Sequence, residues 1–207
     1  LHLCDYNLEK MGTEKIDNTH KLLAEVCYAA KEEGASLQGY YDRYRAQNND
    51  VNTNICTELA RSFADIGDIV RGKDLYLGYD DEEKNRRKKL DDKLKNIFAK
   101  IYNEVTRGKT TVQKQTLKTR YGSDKDFFQL REDWWNLNRQ QVWKAITCSD
   151  KLSNASYFRG TCGGSGNNAR RALSQCRCGD GDKPKSAKAG DVNIVPTYFD
   201  YVPQFLR

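Results

Sequence analysis

An all-α fold is predicted by three observations on this 207-residue sequence. Apolar residues make up 38% of it and charged residues 31%, a balance that suits helices with one buried face better than a sheet covered on both sides. Apolar side chains recur every three or four residues over long stretches, and only three prolines are present to interrupt them. Seven cysteines, Cys4, Cys27, Cys56, Cys148, Cys162, Cys176 and Cys178, occur with two histidines and without a C-x-x-C pair. That spacing disfavours zinc and favours disulfides formed in an oxidising compartment, so the helices are expected to be cross-linked. An odd count leaves at least one cysteine free or paired outside the chain. The length suits one core or two closely packed subdomains, drawn here as residues 1–54, a helix plus a polar loop, and residues 55–207, a central helical unit.

Taken in order, Thr13 to Glu33 carries Ile16, Leu22, Leu23, Val26, Cys27 and Ala30 near helical spacing, with Gly34 as the expected stop. Cys4 and Cys27 flank this helix as a local staple would, with an upstream partner for Cys4 equally open. Gln38 to Asn54, polar and rich in tyrosine and asparagine, reads as an exposed loop. In ICTELARSFADIGDIVRGKDLY, Ile55, Leu59, Phe63, Ile66 and Val70 form one apolar stripe, Arg61, Asp65 and Asp68 lie off it with Arg61 and Asp65 spaced as an ion pair, and Gly72 offers a stop.

Asp80 to Glu83 places acids at the start of the next helix, where free backbone N–H groups and the dipole favour them, and Asp80 with Glu83 has capping-box spacing. Leu90, Leu94, Ile97, Phe98, Ile101 and Val105 supply its buried face. Its other face carries Lys84, Arg86, Arg87, Lys88, Lys89, Lys93, Lys95 and Lys100 against Asp91 and Asp92, and Arg107 to Arg120 adds Arg107, Lys109, Lys114, Lys118 and Arg120 with no acid. A third long helix is expected over Asp126–Cys148, with Phe127, Phe128, Leu130, Trp134, Trp135, Val142, Trp143 and Ile146. The adjacent Trp134 and Trp135 must point apart, so one is expected to be partly exposed. Residues 149–190 read as a long loop ordered by cross-links among Cys162, Cys176 and Cys178. Ile194 to Leu206 reads as an extended lead-in followed by the start of a further helix.

Catalytic vocabulary is sparse. Gly163-Gly164-Ser165-Gly166 lacks the Gly-Lys-Ser/Thr of a phosphate cradle, and no nucleophile elbow, zinc-protease helix or kinase set occurs. Carboxylates sit at helix starts or beside lysines, so the chain is expected not to be an enzyme and to carry no cofactor or metal. No run of 18 apolar residues exists, so no membrane insertion by this stretch is expected. Residues 1–4 do not form a signal peptide, and the absence of an initial Met suggests a piece of something longer, with any targeting or anchoring segment outside it. Asn154-Ala155-Ser156 is an acceptor sequon, weakly in keeping with secretion. The net charge of +6 predicts anionic partners, and the disulfide argument sets nucleic acid aside in favour of anionic glycans.

Several blocks together resemble one family. Residues 60–72, ARSFADIGDIVRG; Asp133-Trp134-Trp135-Asn136 with Asn138-Arg139; Val142-Trp143-Lys144-Ala145-Ile146-Thr147-Cys148; Cys176-Arg177-Cys178; and Pro196-Thr197-Tyr198-Phe199-Asp200-Tyr201-Val202-Pro203-Gln204 look like the Duffy-binding-like domain. Leu130-Arg131-Glu132-Asp133 resembles the alpha type, found near the N-terminus of the variant erythrocyte membrane proteins of the malaria parasite Plasmodium falciparum, and Leu3 to Glu9 fits the family's early block. The resemblance spans nearly the whole chain and implies a mostly helical, disulfide-laced fold with long loops, truncated here before its last helical subdomain. It favours Cys56 with Cys148, and Cys162 with Cys176 or Cys178. It further implies an extracellular adhesion module of a larger membrane-anchored protein on the infected red cell, with scaffold helices at the core and variable loops at 38–54, 106–125 and 149–190 facing the host.

For binding, three readings are set out. Adhesion to sulfated or blood-group-type glycans, such as heparan sulfate or the red-cell sugars of rosetting, would use Arg86, Arg87, Lys88, Lys89, Lys93, Lys109, Lys114, Lys118 and Arg120 and would weaken with salt. A glycoprotein receptor would instead be anchored by exposed tyrosines at 40, 41 and 44. A scaffold for an adjacent receptor-binding domain would need no partner of its own.

Overall fold

In a computed structural model the described residues are 8–9, 16–48, 54–75, 80–163, 169–179 and 194–207. Helix α1, Thr19–Asn48, opens on Asn18, whose side-chain oxygen accepts from the Lys21 N–H at 2.9 Å. It runs straight through the predicted stop. Gly34 is buried, and a Cβ there would lie 2.2 Å from the Ile146 carbonyl oxygen, so the glycine serves a close helix–helix approach instead of an ending. The predicted loop from Gln38 is helical as far as Asn48, because Leu37 and Gln38 remain buried and Asp42 accepts from both Gln38 Nε2 at 2.9 Å and Lys151 Nζ at 3.1 Å.

Helix α2, Ile55–Arg71, buries the predicted stripe and ends on Gly72 at φ 72°, where the Lys73 N–H closes on the Asp68 carbonyl at 2.8 Å. Asp68 is buried rather than off the core face, and Asp65 pairs with Arg207 at 3.5 Å while Arg61 is exposed. Helix α3, Asp81–Thr106, is capped by Asp80, which accepts from the Glu83 N–H at 2.8 Å, and buries Leu90, Leu94, Ile97, Phe98 and Ile101. Within the predicted loop 106–125 lies helix α4, Thr111–Tyr121, started by a reciprocal capping box between Thr110 and Gln113. None of its residues is buried, which is why no apolar period announced it.

Helix α5, Phe128–Ile146, crosses the centre and packs against α1, α2 and α3. Both Trp134 and Trp135 are buried, at 4% and 0% exposure, so neither is partly exposed as expected. They do point apart, but each meets a different helix: Trp135 stacks near Phe63 at 5.1 Å and Trp134 meets Phe98 edge-on at 6.2 Å.

Beyond α5 come a 3-10 turn, Asp150–Leu152, and a short antiparallel pair, β1 Gly160–Cys162 with β2 Arg170–Arg171. The favoured Cys56–Cys148 pairing is corrected: Cys56 bonds Cys176, 120 residues away, and Cys162 bonds Cys178. The Trp143 Nε1–H donates to the Cys176 carbonyl at 3.0 Å and seats that cysteine over the start of α2, whereas Cys148 follows the last turn of α5 and is exposed. Cys27 is a free, half-buried thiol, so no staple closes on it, and Cys4 lies outside the described residues. The last stretch is extended from Ile194 and forms 3-10 turns, Phe199–Tyr201 and Gln204–Leu206, in place of the predicted helix start. Pro203 between them supplies no N–H for a continuous ladder.

Candidate functional site

The sequence blocks that carry the resemblance converge on one buried polar cluster. Asp200, fully buried, accepts from Arg139 Nη2 at 2.7 Å, Arg139 Nε at 2.8 Å and Trp135 Nε1 at 2.9 Å. Arg71 reaches Asp68 at 2.9 Å, Glu132 at 3.1 Å and the Gly67 carbonyl at 2.9 Å, and it also donates to the Asp200 carbonyl. Arg131, equally buried, donates to the last carbonyls of α2, Val70 at 2.7 Å and Ile69 at 3.1 Å, and pairs with Asp91 at 2.9 Å. Each guanidinium thus satisfies chain groups that would otherwise be buried without partners. Burial pushes the Asp68 carboxyl up to about 6 in spite of its two arginine neighbours, Arg207 and Arg71, and burial also draws Arg131 down. This cluster holds the C-terminal segment against α2 and α5. Its chemistry is that of a scaffold, closed to solvent.

The surface charges divide into spent and free cations. Arg87 is half-buried and pairs with Asp74 and, at 3.7 Å, with Glu83. Lys93 donates to the Glu9 carbonyl at 3.2 Å, Lys84 lies 3.6 Å from Asp81, and Lys95 is shared among Asp91, Asp92 and Asp126. Arg120 donates twice to Asp133, at 2.9 and 2.7 Å, and the Tyr121 hydroxyl donates to the same oxygen at 2.7 Å. These contacts hold the Asp133 carboxyl below its ordinary range, against the opposing effect of its partial burial.

Arg86, Lys88, Lys89, Lys109, Lys114 and Lys118 remain exposed, and their side chains form neither an ion pair nor a hydrogen bond among the described residues. Of the nine predicted glycan-binding residues, then, Arg87, Lys93 and Arg120 already hold partners and the other six are open. The six lie on α3, in the turn at Lys109, and on α4, where Lys114 and Lys118 are one turn apart. The cleft of about 340 Å³ between Gly72 and Lys88 is lined by both signs, Asp74 and Asp91 against Arg87 and Lys88, and is no simple anion pocket.

Of the three tyrosines expected to be exposed, two are, and one further surface feature, the arginines of the hairpin, escaped the sequence reading. In the helical end of α1, Tyr40 and Tyr44 are 52% and 45% exposed, one turn apart, with the Arg43 guanidinium 4.7 Å above the Tyr40 ring. Tyr41 is half-buried and so a poor anchor. On the hairpin, Arg159, Arg170 and Arg171 are exposed. The signal for them was available as a long acid-free run from Lys151 to Gly179.

Among the described residues no group of His, Cys, Asp and Glu is arranged to hold a metal ion, and no helix is long and apolar enough to cross a membrane.

Comparison with known proteins gives matches of one kind. A family described as Duffy binding domain matches residues 1–207. The Duffy receptor of Plasmodium vivax (strain Salvador I) is 26% identical over 108 residues, which is 52% of this chain and 7% of that protein. The solved PfEMP1 IT4var13 DBLbeta domain bound to ICAM-1 superposes with a TM-score of 0.60 at 28% identity, over 99% of this chain and 40% of that one. The solved ICAM-1-binding PfEMP1 IT4var13 DBLbeta domain gives a TM-score of 0.60 at 28% identity, over 100% of this chain and 39% of that one. The chain therefore spans about two fifths of the solved domains it matches.

Proposed function

The chain belongs to the Duffy binding domain family, and from that premise we propose that it is part of an extracellular adhesion module that binds a receptor on host cells. The polypeptide that carries it would be displayed on the infected red cell and anchored there by other segments. The reading we favour for the ligand is an anionic glycan, of the heparan sulfate or red-cell sugar type, held by the basic face of α3 and α4.

One observation carries the glycan reading: of the nine cations expected to bind, Arg87, Lys93 and Arg120 hold partners and the other six stay open. A repeating sulfated chain presents charge along a line, and cations at turn spacing, Arg86 with Lys89 on α3 and Lys114 with Lys118 on α4, match it without requiring a pocket. Such binding is electrostatic and screened by salt.

The test is retention on a heparin surface across a salt series, for the chain and for a variant with Arg86, Lys88 and Lys89 changed to Ser. Steep decline with salt and loss of retention in the folded variant support the reading. Retention that survives the triple change, or no binding at physiological salt, sinks it.

A protein receptor is the second reading, favoured by the stacked Arg43 and Tyr40 with Tyr44 on one helical face, a composition typical of interface anchors. One structural neighbour is described bound to ICAM-1. Under this reading Tyr40→Ala and Tyr44→Ala abolish receptor binding with little change in its salt dependence.

A further inference from the structure

From Lys151 to Gly179 the chain contains five cations and no acid. Two of the five are used internally: Lys151 pairs with Asp42 at 3.1 Å, and Arg177 donates to Thr147 Oγ1 at 2.8 Å and to the Lys144 carbonyl at 2.7 Å. The side chains of Arg159, Arg170 and Arg171 are exposed and make no ion pair or hydrogen bond among the described residues. All three ride on one hairpin, in which Gly160 faces Arg171 and Cys162 faces Arg170.

That hairpin is fastened from beneath. Cys162 is bonded to Cys178, the neighbouring Cys176 is bonded to Cys56 at the start of α2, and the Tyr157 N–H donates to the Ala172 carbonyl at 3.0 Å. Tyr157, Cys162, Ala172 and Cys176 are buried in the core cluster. A backbone pinned in this way loses little freedom when a ligand docks on its outer face.

The exposed side chains of the hairpin are not purely ionic. Phe158 and Leu173 are exposed on the same hairpin, at 42% and 77%, and the Arg159 guanidinium lies 5.1 Å from the Phe158 ring centre. The free cations here are all arginines, whereas those of α3 and α4 are lysines except for Arg86. A guanidinium offers a planar fork that matches a carboxylate with two parallel hydrogen bonds, which an ammonium cannot do. Arginine beside aromatic and aliphatic side chains is the composition of a protein interface, and a sulfated sugar chain has no counterpart for Leu173.

We propose that the disulfide-pinned strand pair Gly160–Cys162 and Arg170–Arg171 with its flanking residues, through Arg159, Arg170 and Arg171 with Phe158 and Leu173, is a docking surface for an acidic protein segment that carries apolar side chains among its Asp and Glu residues. It is a separate surface from the basic face of α3 and α4 and stands or falls independently of it.

The probe is a synthetic peptide of glutamates interspersed with leucines, measured against the immobilised chain at physiological salt, with heparin retention followed in parallel. The variant Arg159→Lys/Arg170→Lys/Arg171→Lys keeps the charge and removes the forks. It is expected to weaken peptide binding about tenfold or more, as bidentate contacts become single ones, while heparin retention is unchanged. A second variant, Leu173→Ser, alters one exposed side chain and is expected to weaken the peptide alone; circular dichroism and disulfide mapping confirm the fold of both. The proposal is overturned if the wild-type chain does not bind the peptide, or if the lysine variant binds it equally well. It is also overturned if the hairpin changes lower heparin retention and leave peptide binding intact, which would make the hairpin part of a glycan surface.

Discussion

Gly34 of α1 lies against Ile146 at the end of α5, so close that a Cβ on Gly34 would sit 2.2 Å from the Ile146 carbonyl oxygen. The neighbour is backbone and cannot swing aside, so the two helices can meet here only at a residue without a side chain. On an isolated helix, glycine to alanine would stabilise by about 1 kcal/mol. Here the sign reverses: Gly34→Ala is expected to destabilise by about 1–3 kcal/mol, the range for an overpacked core. Denaturant unfolding with the slope held constant measures it, and a more stable variant would show that the helices are not in contact at this point.

The long-range disulfide is expected to matter more than the short one. Cys56 and Cys176 are 120 residues apart and Cys162 and Cys178 are 16 apart, and closing the longer loop removes more unfolded-state freedom. Replacing both Cys56 and Cys176 by Ser should cost about 4–5 kcal/mol on the chain-entropy account, against about 3 for the other pair. Non-reducing peptide mapping checks the pairing first: a Cys56–Cys148 peptide would refute it.

Thiol labelling separates the two free cysteines. Cys148 is exposed and should react quickly, while Cys27 is half-buried, with burial pushing its thiol up, and should react more slowly at neutral pH. Equal rates would contradict the packing of α1.

Asp68 makes stability depend on pH in a defined direction. Burial raises its carboxyl from 3.8 to about 6, opposed by Arg207 and Arg71. Between those values the folded state holds a proton that the unfolded state has released, so this residue's contribution to stability is present below about pH 4 and is lost as the pH climbs to about 6. Asp65, raised by burial as well, slopes the same way, while Asp133 and Glu132, both lowered, slope the other way. The comparison that isolates Asp68 is Asp68→Asn against wild type: the variant should gain on wild type as pH rises from 4 to 6, and parallel curves would refute the assignment.

Asp133 should control α4. This helix buries no side chain and is fastened at its C-terminal end by Arg120 and Tyr121 on one carboxylate oxygen. Asp133→Asn is expected to speed amide exchange in residues 111–121 a few-fold and, by releasing Arg120, to move heparin elution to higher salt. Unchanged exchange in α4 would show that the capping box alone holds it.

Much of this architecture was written locally. The stripe of α2, the Gly72 stop and the Asp80 cap of α3 are each set by residues within a turn or two of one another, so periodicity and capping chemistry disclose them. The family blocks were legible for the same reason, and they turn out to supply the buried cluster around Arg71, Arg139 and Asp200. The surface was less legible. Whether a basic side chain is free or spent depends on a carboxylate outside its own turn, as with Arg87 and Asp74 or Arg120 and Asp133, each pair 13 residues apart.

By itself, then, the sequence determined an all-α, cross-linked, basic chain of recognisable family, because helix period, composition and ordered motifs are properties of neighbouring residues. Tertiary structure alone decided that Gly34 continues a helix, that Cys56 meets Cys176, and that both Trp134 and Trp135 are buried. Those outcomes depend on which surfaces meet across the fold, and contact between residues distant in the chain leaves no period to read.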